Sequence, residues 1–135
     1  MADYKKIFIS YLEQEGIRYA DHTEFSVRIP YSGENLKTIP LFVSFDREGR
    51  PFANIKCFAI ANFKGKETVG IQTCNALNRQ FRWAKFFLDE DADMIASVDT
   101  YVDANTCGFF CLELVKRSVA IIDEAYPRIA GALWA

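Results

Sequence analysis

The last part of this chain contains a run with helical spacing that is too apolar to lie on a single surface. The run begins near residue 106, with Asp103 or Asn105 as its cap, and either ends near residue 125 or continues through Pro127 with a kink. At about 100° per residue, its apolar side chains spread over roughly 200°, about twice the stripe that one sheet covers. We therefore expect the helix to be covered on more than one side, either at the centre of its own domain or by another subunit. The apolar set is Phe110, Cys111, Leu112, Leu114, Val115, Val119, Ile121 and Ile122.

Hydrophobic spacing elsewhere predicts two further helices. Apolar residues from Tyr4 to Leu12 recur at steps of three and four, so residues 3–15 form a helix with Asp3 as its N-cap and Gly16 as its stop. A narrower helical stripe over residues 70–81 predicts a middle helix.

Alternation of apolar and polar residues predicts the strands. The strand-like runs cover residues 25–29, 39–45, 52–60, 82–88 and 94–102. They cluster before and after the middle helix, and this grouping favours an antiparallel sheet over a parallel one. The chain is thus predicted to be a single domain, residues 1–135, of the α+β class with the order α-βββ-α-ββ-α.

Composition excludes several classes of function. Sixteen basic and eighteen acidic residues give a net charge of −2, without a basic run that would bind a nucleic-acid backbone. No apolar run has the length of a membrane span, and the start of the chain lacks the pattern of a secretory signal. We expect a cytoplasmic protein that binds neither nucleic acid nor membranes.

The residues that most often carry chemistry do not form a recognisable motif. The four cysteines lack paired C-x-x-C spacing, and His22 is the only histidine. Cys74, Cys107 and Cys111 have a spacing that allows a shared metal, but reduced thiols buried in the core are the favoured interpretation. We therefore predict no catalytic residue, no metal site, no cofactor and no enzymatic activity.

The acidic turn between the last two strands has part of a calcium-binding pattern. Asp89, Asp91 and Asp93 have the D-x-D-x-D spacing of a calcium loop. Met94 and Thr100, however, stand where that loop needs a glycine and a bidentate glutamate. A solvated hairpin turn is the favoured interpretation, with weak cation binding as the alternative.

Polar residues of the middle helix and the segment after it are candidates for a structural or dimer contact. Asn78 falls on the apolar stripe, where a buried amide needs hydrogen-bond partners. It either ties the helix to a strand end or helps to shape an interface. The residues in this set are Asn75, Asn78, Arg79 and Arg82.

Both faces of the predicted sheet carry apolar residues. If the helices cover only one face, the other face exposes a hydrophobic patch of the kind that binds proteins. If they cover both, these residues belong to the core. In the strand over residues 82–88, either Trp83 with Phe87 or Phe86 with Leu88 lies on the second face. The predicted partner-binding residues are Phe42, Phe58, Ile60 and Trp83.

Several of these segments together resemble a known family. The N-terminal helix ending at Glu15 and Gly16, the Cys74-Asn75-x-x-Asn78 helix, the segment from Arg82 to Phe86, the acidic turn and the long last helix resemble the YbjN family. That family is similar in fold to the class I (Tir/CesT-type) chaperones of type III secretion. The resemblance implies an α-βββ-α-ββ-α sandwich and a homodimer. In the secretion chaperones, hydrophobic surface patches hold an extended segment of a client.

Two functions follow as hypotheses. The first is a non-catalytic protein-binding module, chaperone-like or regulatory, that acts as a homodimer and binds an unknown protein or peptide. In this hypothesis the middle and last helices build the dimer. The alternative is a small-molecule sensor or cryptic enzyme with a pocket between the sheet and the last helix.

Overall fold

Three helices pack on one face of a six-stranded antiparallel sheet in the computed structural model, which describes residues 2–135. This architecture confirms the predicted α+β class. In chain order the elements are α1 (Tyr4–Gln14), β1 (Ala20–Thr23), β2 (Ser26–Ile29), β3 (Leu41–Phe45), β4 (Phe52–Cys57), α2 (Glu67–Gln80), β5 (Lys85–Leu88), β6 (Met94–Tyr101) and α3 (Cys107–Trp134).

The last helix, α3, lies at the centre of the helical layer. It crosses β3, β4 and β6, with α1 on one flank and α2 on the other. Its side chains Cys111, Val115 and Ile122 are fully buried. Neighbours within the same chain therefore cover most of the wide apolar arc, and the arc does not require another subunit.

The start of α3 differs from the predicted caps. Thr106 is the N-cap and makes no side-chain cap bond. The Asp103 carboxylate instead accepts the N–H groups of Asn105 and Thr106, at 2.8 and 2.9 Å, just before the helix begins. Asp103 thus orders the turn that leads into α3, and the prediction of Asn105 as a cap is wrong. Asp3, in contrast, caps α1 as predicted, because it accepts the Lys6 N–H.

Pro127 lies inside α3, and the helix continues beyond it to Trp134. A proline at this position removes the N–H that would bond the carbonyl four residues earlier, which is that of Asp123. The Asn35 side-chain amide donates to this carbonyl at 3.0 Å instead. A loop outside the helix thus supplies the donor that proline lacks.

The same loop is held by the Asp123 side chain. Its carboxylate accepts the backbone N–H groups of Glu34, Asn35 and Leu36, at 3.1, 2.8 and 2.9 Å. Gly33 approaches so closely that a Cβ there would overlap Asp123. The Asp123 carboxylate therefore fixes the connection between β2 and β3 to the last helix, together with the bond from the Asn35 side chain.

The sheet has the order β1-β2-β3-β4-β6-β5, and every neighbouring pair is antiparallel. The predicted hairpin of β5 and β6 forms around the acidic turn. Strand β1 is absent from the sequence prediction because its four residues are all exposed and show no apolar alternation. Among the described residues, no helix combines the length and the apolar character that crossing a membrane requires.

The two faces of the sheet have different environments. Residues of the helix-covered face, such as Val43, Ile55 and Met94, are almost completely buried. The residues that alternate with them point away from the three helices. We call this second surface the open face. It includes Phe42, Lys56, Phe87, Ser97 and Tyr101.

Close packing of α1 against α3 depends on Gly108, and this dependence yields a stability prediction. A Cβ at Gly108 would overlap the ring of Tyr11 in α1, whereas one at Gly131 of the same helix has nothing within 4 Å. We expect Gly108→Ala to lower the free energy of unfolding by about 1–3 kcal/mol through overpacking. The control Gly131→Ala should raise it by up to about 1 kcal/mol through helix propensity. Urea denaturation measures both, and equal effects of the two variants would contradict the packing.

The three hydrogen bonds to Asp123 also predict a dependence on pH. Bonds from Leu36, Asn35 and Glu34 lower the pKa of Asp123 from its ordinary value of 3.8. A carboxylate with a depressed folded-state pKa stabilises the protein above its unfolded-state pKa, and this contribution disappears as the pH falls through the folded-state value. Asp123→Asn should therefore lower the melting temperature at pH 7 and flatten its decline below pH 4. Glu124→Gln, at a neighbouring exposed residue, is the control and should leave the profile of the native sequence unchanged.

Candidate functional site

An aromatic cluster lies at one end of the open face. The rings of Phe42 and Phe58 meet edge to face at 5.3 Å between centroids, and the His22 ring packs on Phe42 in a tilted arrangement at 4.7 Å. Lys56 places its ammonium 5.5 Å from the centroid of the Phe58 ring. Phe58 remains 47% exposed. Because no helix covers this surface, the cluster offers apolar area to a partner while its cation keeps it hydrated.

Phe87 extends the apolar part of the open face toward β5. It lies opposite Ile95 of β6 and is also partly exposed. Ile95 itself is nearly buried, although no helix packs on its side of the sheet. Neighbouring side chains of the sheet therefore shield it, and the exposed rings form the outer surface of this region.

Ile60 does not belong to this surface, and its prediction as a partner-binding residue is wrong. Its side chain is only 8% exposed. Regular alternation would place it on the same side as Phe58, but Ala59 has a φ of 51° and breaks the strand after Cys57. The irregular backbone turns Ile60 into the core, where its N–H donates to the Met94 carbonyl at 2.9 Å.

Trp83 is exposed, but it lies on a different surface from Phe42 and Phe58. It precedes β5 with a φ of 76°, so it is not part of the strand that its sequence spacing predicts. Its indole is 50% exposed and borders a groove between β6 and the first half of α3. The four predicted partner-binding residues therefore do not share one surface. Phe42 and Phe58 lie on the open face, Trp83 borders the groove and Ile60 lies in the core.

The groove has a volume of about 710 Å³, and four of its eleven lining residues are aromatic. Phe109 and Phe110 from α3 form one wall, and Thr100, Tyr101 and Val102 from the end of β6 form the other. Its charged side chains are Asp103, Glu113 and Arg117. We call this hollow the β6–α3 groove.

Sequence reasoning missed two of the groove residues, Tyr101 and Phe109. A usable signal was present for Phe109, because two adjacent phenylalanines on a helix point about 100° apart and cannot both face one sheet. Tyr101 alternates in step with the polar residues of β6, so it lies on the open face, and its ring centroid is 5.7 Å from that of Phe52. The sequence carried no signal that these residues meet Trp83.

Asn78 ties α2 to the edge strand of the sheet. Its side chain accepts the Phe86 N–H at 2.7 Å and donates to the Phe86 carbonyl at 3.0 Å. These two bonds satisfy a partly buried amide in the way that a strand neighbour would. The structure thus places Asn78 in a structural role. Asn75, Arg79 and Arg82 point outward and are exposed.

The acidic turn forms a compact loop between β5 and β6. Asp89, Asp91 and Asp93 have carboxylate oxygens within 4.8 Å of one another. The Asp89 carboxylate also accepts the backbone N–H groups of Asp91 and Asp93, at 2.9 and 3.0 Å. Turn formation therefore accounts for the position of Asp89.

The four cysteines are free and buried. Burial raises the pKa of Cys57 to about 12 and that of Cys74 to about 11. A hydrogen bond with Cys107, together with burial, raises the pKa of the Cys111 thiol. Because the thiolate is the reactive form, these three thiols are protonated and inert at neutral pH.

Comparison with known proteins does not assign the chain to a family. No protein-family model matches it, and no curated protein matches it. The resemblance to the YbjN family stays a prediction.

The two asparagines of α2 provide a matched test of structural against surface roles. Asn78→Ala leaves the partly buried Phe86 peptide without its partners, so we expect a loss of about 1–3 kcal/mol in the free energy of unfolding. Asn75→Ala changes an exposed side chain of the same helix and should alter it by less than about 0.5 kcal/mol. Urea denaturation of both variants provides the measurement. If both variants lose similar free energy of unfolding, the hydrogen bonds between Asn78 and Phe86 of β5 do not contribute to stability.

Proposed function

We propose that this chain is a non-catalytic protein-binding module that acts as a homodimer, with the open face of its sheet as the contact surface. The observation that carries the proposal is the placement of all three helices on one side of the sheet. A sheet in this arrangement exposes its other side to water unless a second molecule covers it. The resemblance to the YbjN family and the secretion chaperones, given above as a prediction, is compatible with this function.

The composition of the open face supports reversible binding. Phe42, Phe58 and Phe87 supply apolar area at one end. The middle is polar, because Asn54 donates to Ser97 and Asp99 at 2.8 and 2.9 Å. A surface with an apolar cluster and a hydrated polar region remains soluble when free and gains free energy when the cluster is covered.

The distribution of reactive groups supports binding over catalysis. Cys57 and Cys74 have raised pKa values because they are buried. His22 packs on Phe42 at the surface, on a different side of the sheet from these thiols. A histidine so placed does not serve as the base for a buried thiol, because proton transfer requires hydrogen-bond reach.

The β6–α3 groove favours the alternative function, a small-molecule sensor, because it lies between the sheet and the last helix. Its volume falls in the range of ligand sites. However, Trp83, Phe109 and Phe110 are each about half exposed, so the groove is a surface channel and not an enclosed cavity. A small ligand there would keep much of its own surface in water. We therefore favour a protein partner.

Sedimentation equilibrium tests the proposed dimer. At tens of micromolar, the native sequence should have twice the mass of the chain. Phe58→Ser removes the most exposed ring of the aromatic cluster and should weaken the dimer at least tenfold, since a buried aromatic contact is worth about 1.5–3 kcal/mol.

A second variant decides between the open face and α2. Ile71→Ser removes a comparably exposed apolar side chain from the outer side of α2, the helix that the sequence predicted as a dimer element. It should leave the mass unchanged. If Ile71→Ser dissociates the dimer and Phe58→Ser does not, the interface lies on α2. A native chain that stays monomeric at these concentrations would overturn the proposed function.

A further inference from the structure

The groove exists because the two last strands differ in length. Strand β6 has eight residues, but β5 has four and pairs only with Met94–Ser97. The left-handed backbone at Trp83 turns the chain away from the sheet at the point where β5 would otherwise extend along β6. The second half of β6, residues 98–101, therefore has β4 on one side and no strand on the other. We call it the free half of β6.

The free half presents unpaired peptide N–H groups in the pattern of a sheet edge. The N–H groups of Met94 and Val102 bond the β4 side, to Ala61 and Pro51. Because peptide groups alternate along a strand, those of Asp99 and Tyr101 point to the opposite side. Within residues 2–135, neither of these two N–H groups has a backbone acceptor. The strand is regular here, with an unbroken register from Ala96 to Tyr101.

The other edge of the sheet is protected against strand pairing. Strand β1 has only four residues, its register shifts between Asp21 and Thr23, and Lys5 forms an ion pair with Asp21 across it. Short, bulged and charged edges prevent pairing with other chains. The free half of β6 is also four residues long and carries Asp99, but its register is regular and it contains no proline. It is therefore less protected against strand pairing than β1.

The walls of the groove match a strand added along this edge. At the other end of β6, the β5 residue Phe86 is buried in the core beneath the helices. A partner strand that continued the line of β5 would turn alternate side chains toward the helices, as Phe86 does, and these would contact Phe110 and Leu114 of α3 at the border of the groove. Without such a strand, Phe110 is 51% exposed.

The charges around the groove specify the partner further. Asp103 and Glu113 line it, and Arg117 is the one cation among its lining residues. A basic segment would be attracted to this rim, and an acidic one would be repelled.

We infer that the free half of β6 binds an extended polypeptide segment of a partner protein as a seventh strand, with alternate apolar side chains in the β6–α3 groove and Lys or Arg at its margin. This inference rests on the proposed function and names the partner that the module binds in addition to its own second copy. Main-chain hydrogen bonds to Asp99 and Tyr101 supply orientation, and the aromatic walls supply apolar contact.

A selection of displayed random eight-residue peptides on the full chain tests the inference. Enriched peptides, resynthesised with blocked ends, are titrated by the fluorescence of Trp83 in a Trp134→Phe background, which removes the other tryptophan. We expect apolar residues at alternate positions, Lys or Arg between them, and a saturable change in fluorescence. Failure to enrich any peptide would overturn the inference.

Two comparisons test the strand pairing itself. Tyr101→Pro removes the outward N–H while leaving the β4 ladder intact, and Tyr101→Val keeps that N–H. We expect Tyr101→Pro to weaken binding about fivefold more than Tyr101→Val, the effect of one hydrogen bond. Peptides N-methylated at alternate residues should also bind more weakly, because methylation removes the peptide N–H groups that donate to the outward carbonyls of the free half, and they test the pairing without any change to the protein. Two methylated peptides are compared, one methylated at the odd residues and one at the even residues. If both bind as tightly as the unmethylated peptide, the inference is overturned.

The outcomes separate this inference from the proposed function. A dimer that survives Tyr101→Pro, together with peptide binding about fivefold weaker than in Tyr101→Val, supports both. A dimer that dissociates on Tyr101→Pro but not on Tyr101→Val shows that a second copy pairs with the edge, and the inference is then wrong. If Phe58→Ser loses peptide binding and Tyr101→Pro keeps it, the peptide binds to the open face. This result also overturns the inference. A monomeric native chain that binds the peptides at the free half refutes the dimer alone.

Discussion

The contact between α3 and the rest of the chain is the constraint on which this structure depends. One helix covers three strands, touches both other helices and holds the loop between β2 and β3 through Asp123. Close approach to α1 requires Gly108, because any side chain there meets Tyr11. Burial of Cys111, Val115 and Ile122 follows from this central position. The helix is therefore an internal scaffold, although Phe109 and Phe110 near its start remain half exposed.

Placing every helix on one side of the sheet has a consequence for the other side. The open face and the β6–α3 groove are different surfaces with different chemistry: one is a flat sheet with an aromatic cluster around Phe58, the other a channel beside an unpaired strand. A protein with two such surfaces, which meet at Tyr101, offers two chemically different regions to partners. That arrangement suits a protein that pairs with its own copy and also holds an extended segment.

Much of the fold could be predicted from the sequence, because apolar periodicity reports directly which side of a helix or strand is buried. The helices, five strands and the α+β class followed from it. The positions of Ile60 and Trp83 could not be predicted in this way, because each depends on the backbone angles of a single residue. The φ values of Ala59 and Trp83 are positive, and no local pattern marks either residue as a bend. Those two bends moved Ile60 into the core and Trp83 to the groove, so the candidate site was predicted less well than the fold.

The position of α3 at the end of the chain order also governs when the protein becomes stable during synthesis. Every strand emerges before the helix that covers the sheet, and the partners of Asp123 in the loop after β2 precede it by 87–89 residues. Until α3 is made, residues such as Val43, Ile55 and Met94 have no helix of their own to cover them. Contacts of such sequence separation form slowly, and exposed apolar strands aggregate. The nascent chain thus passes through a stage in which protection by a cellular chaperone is most valuable.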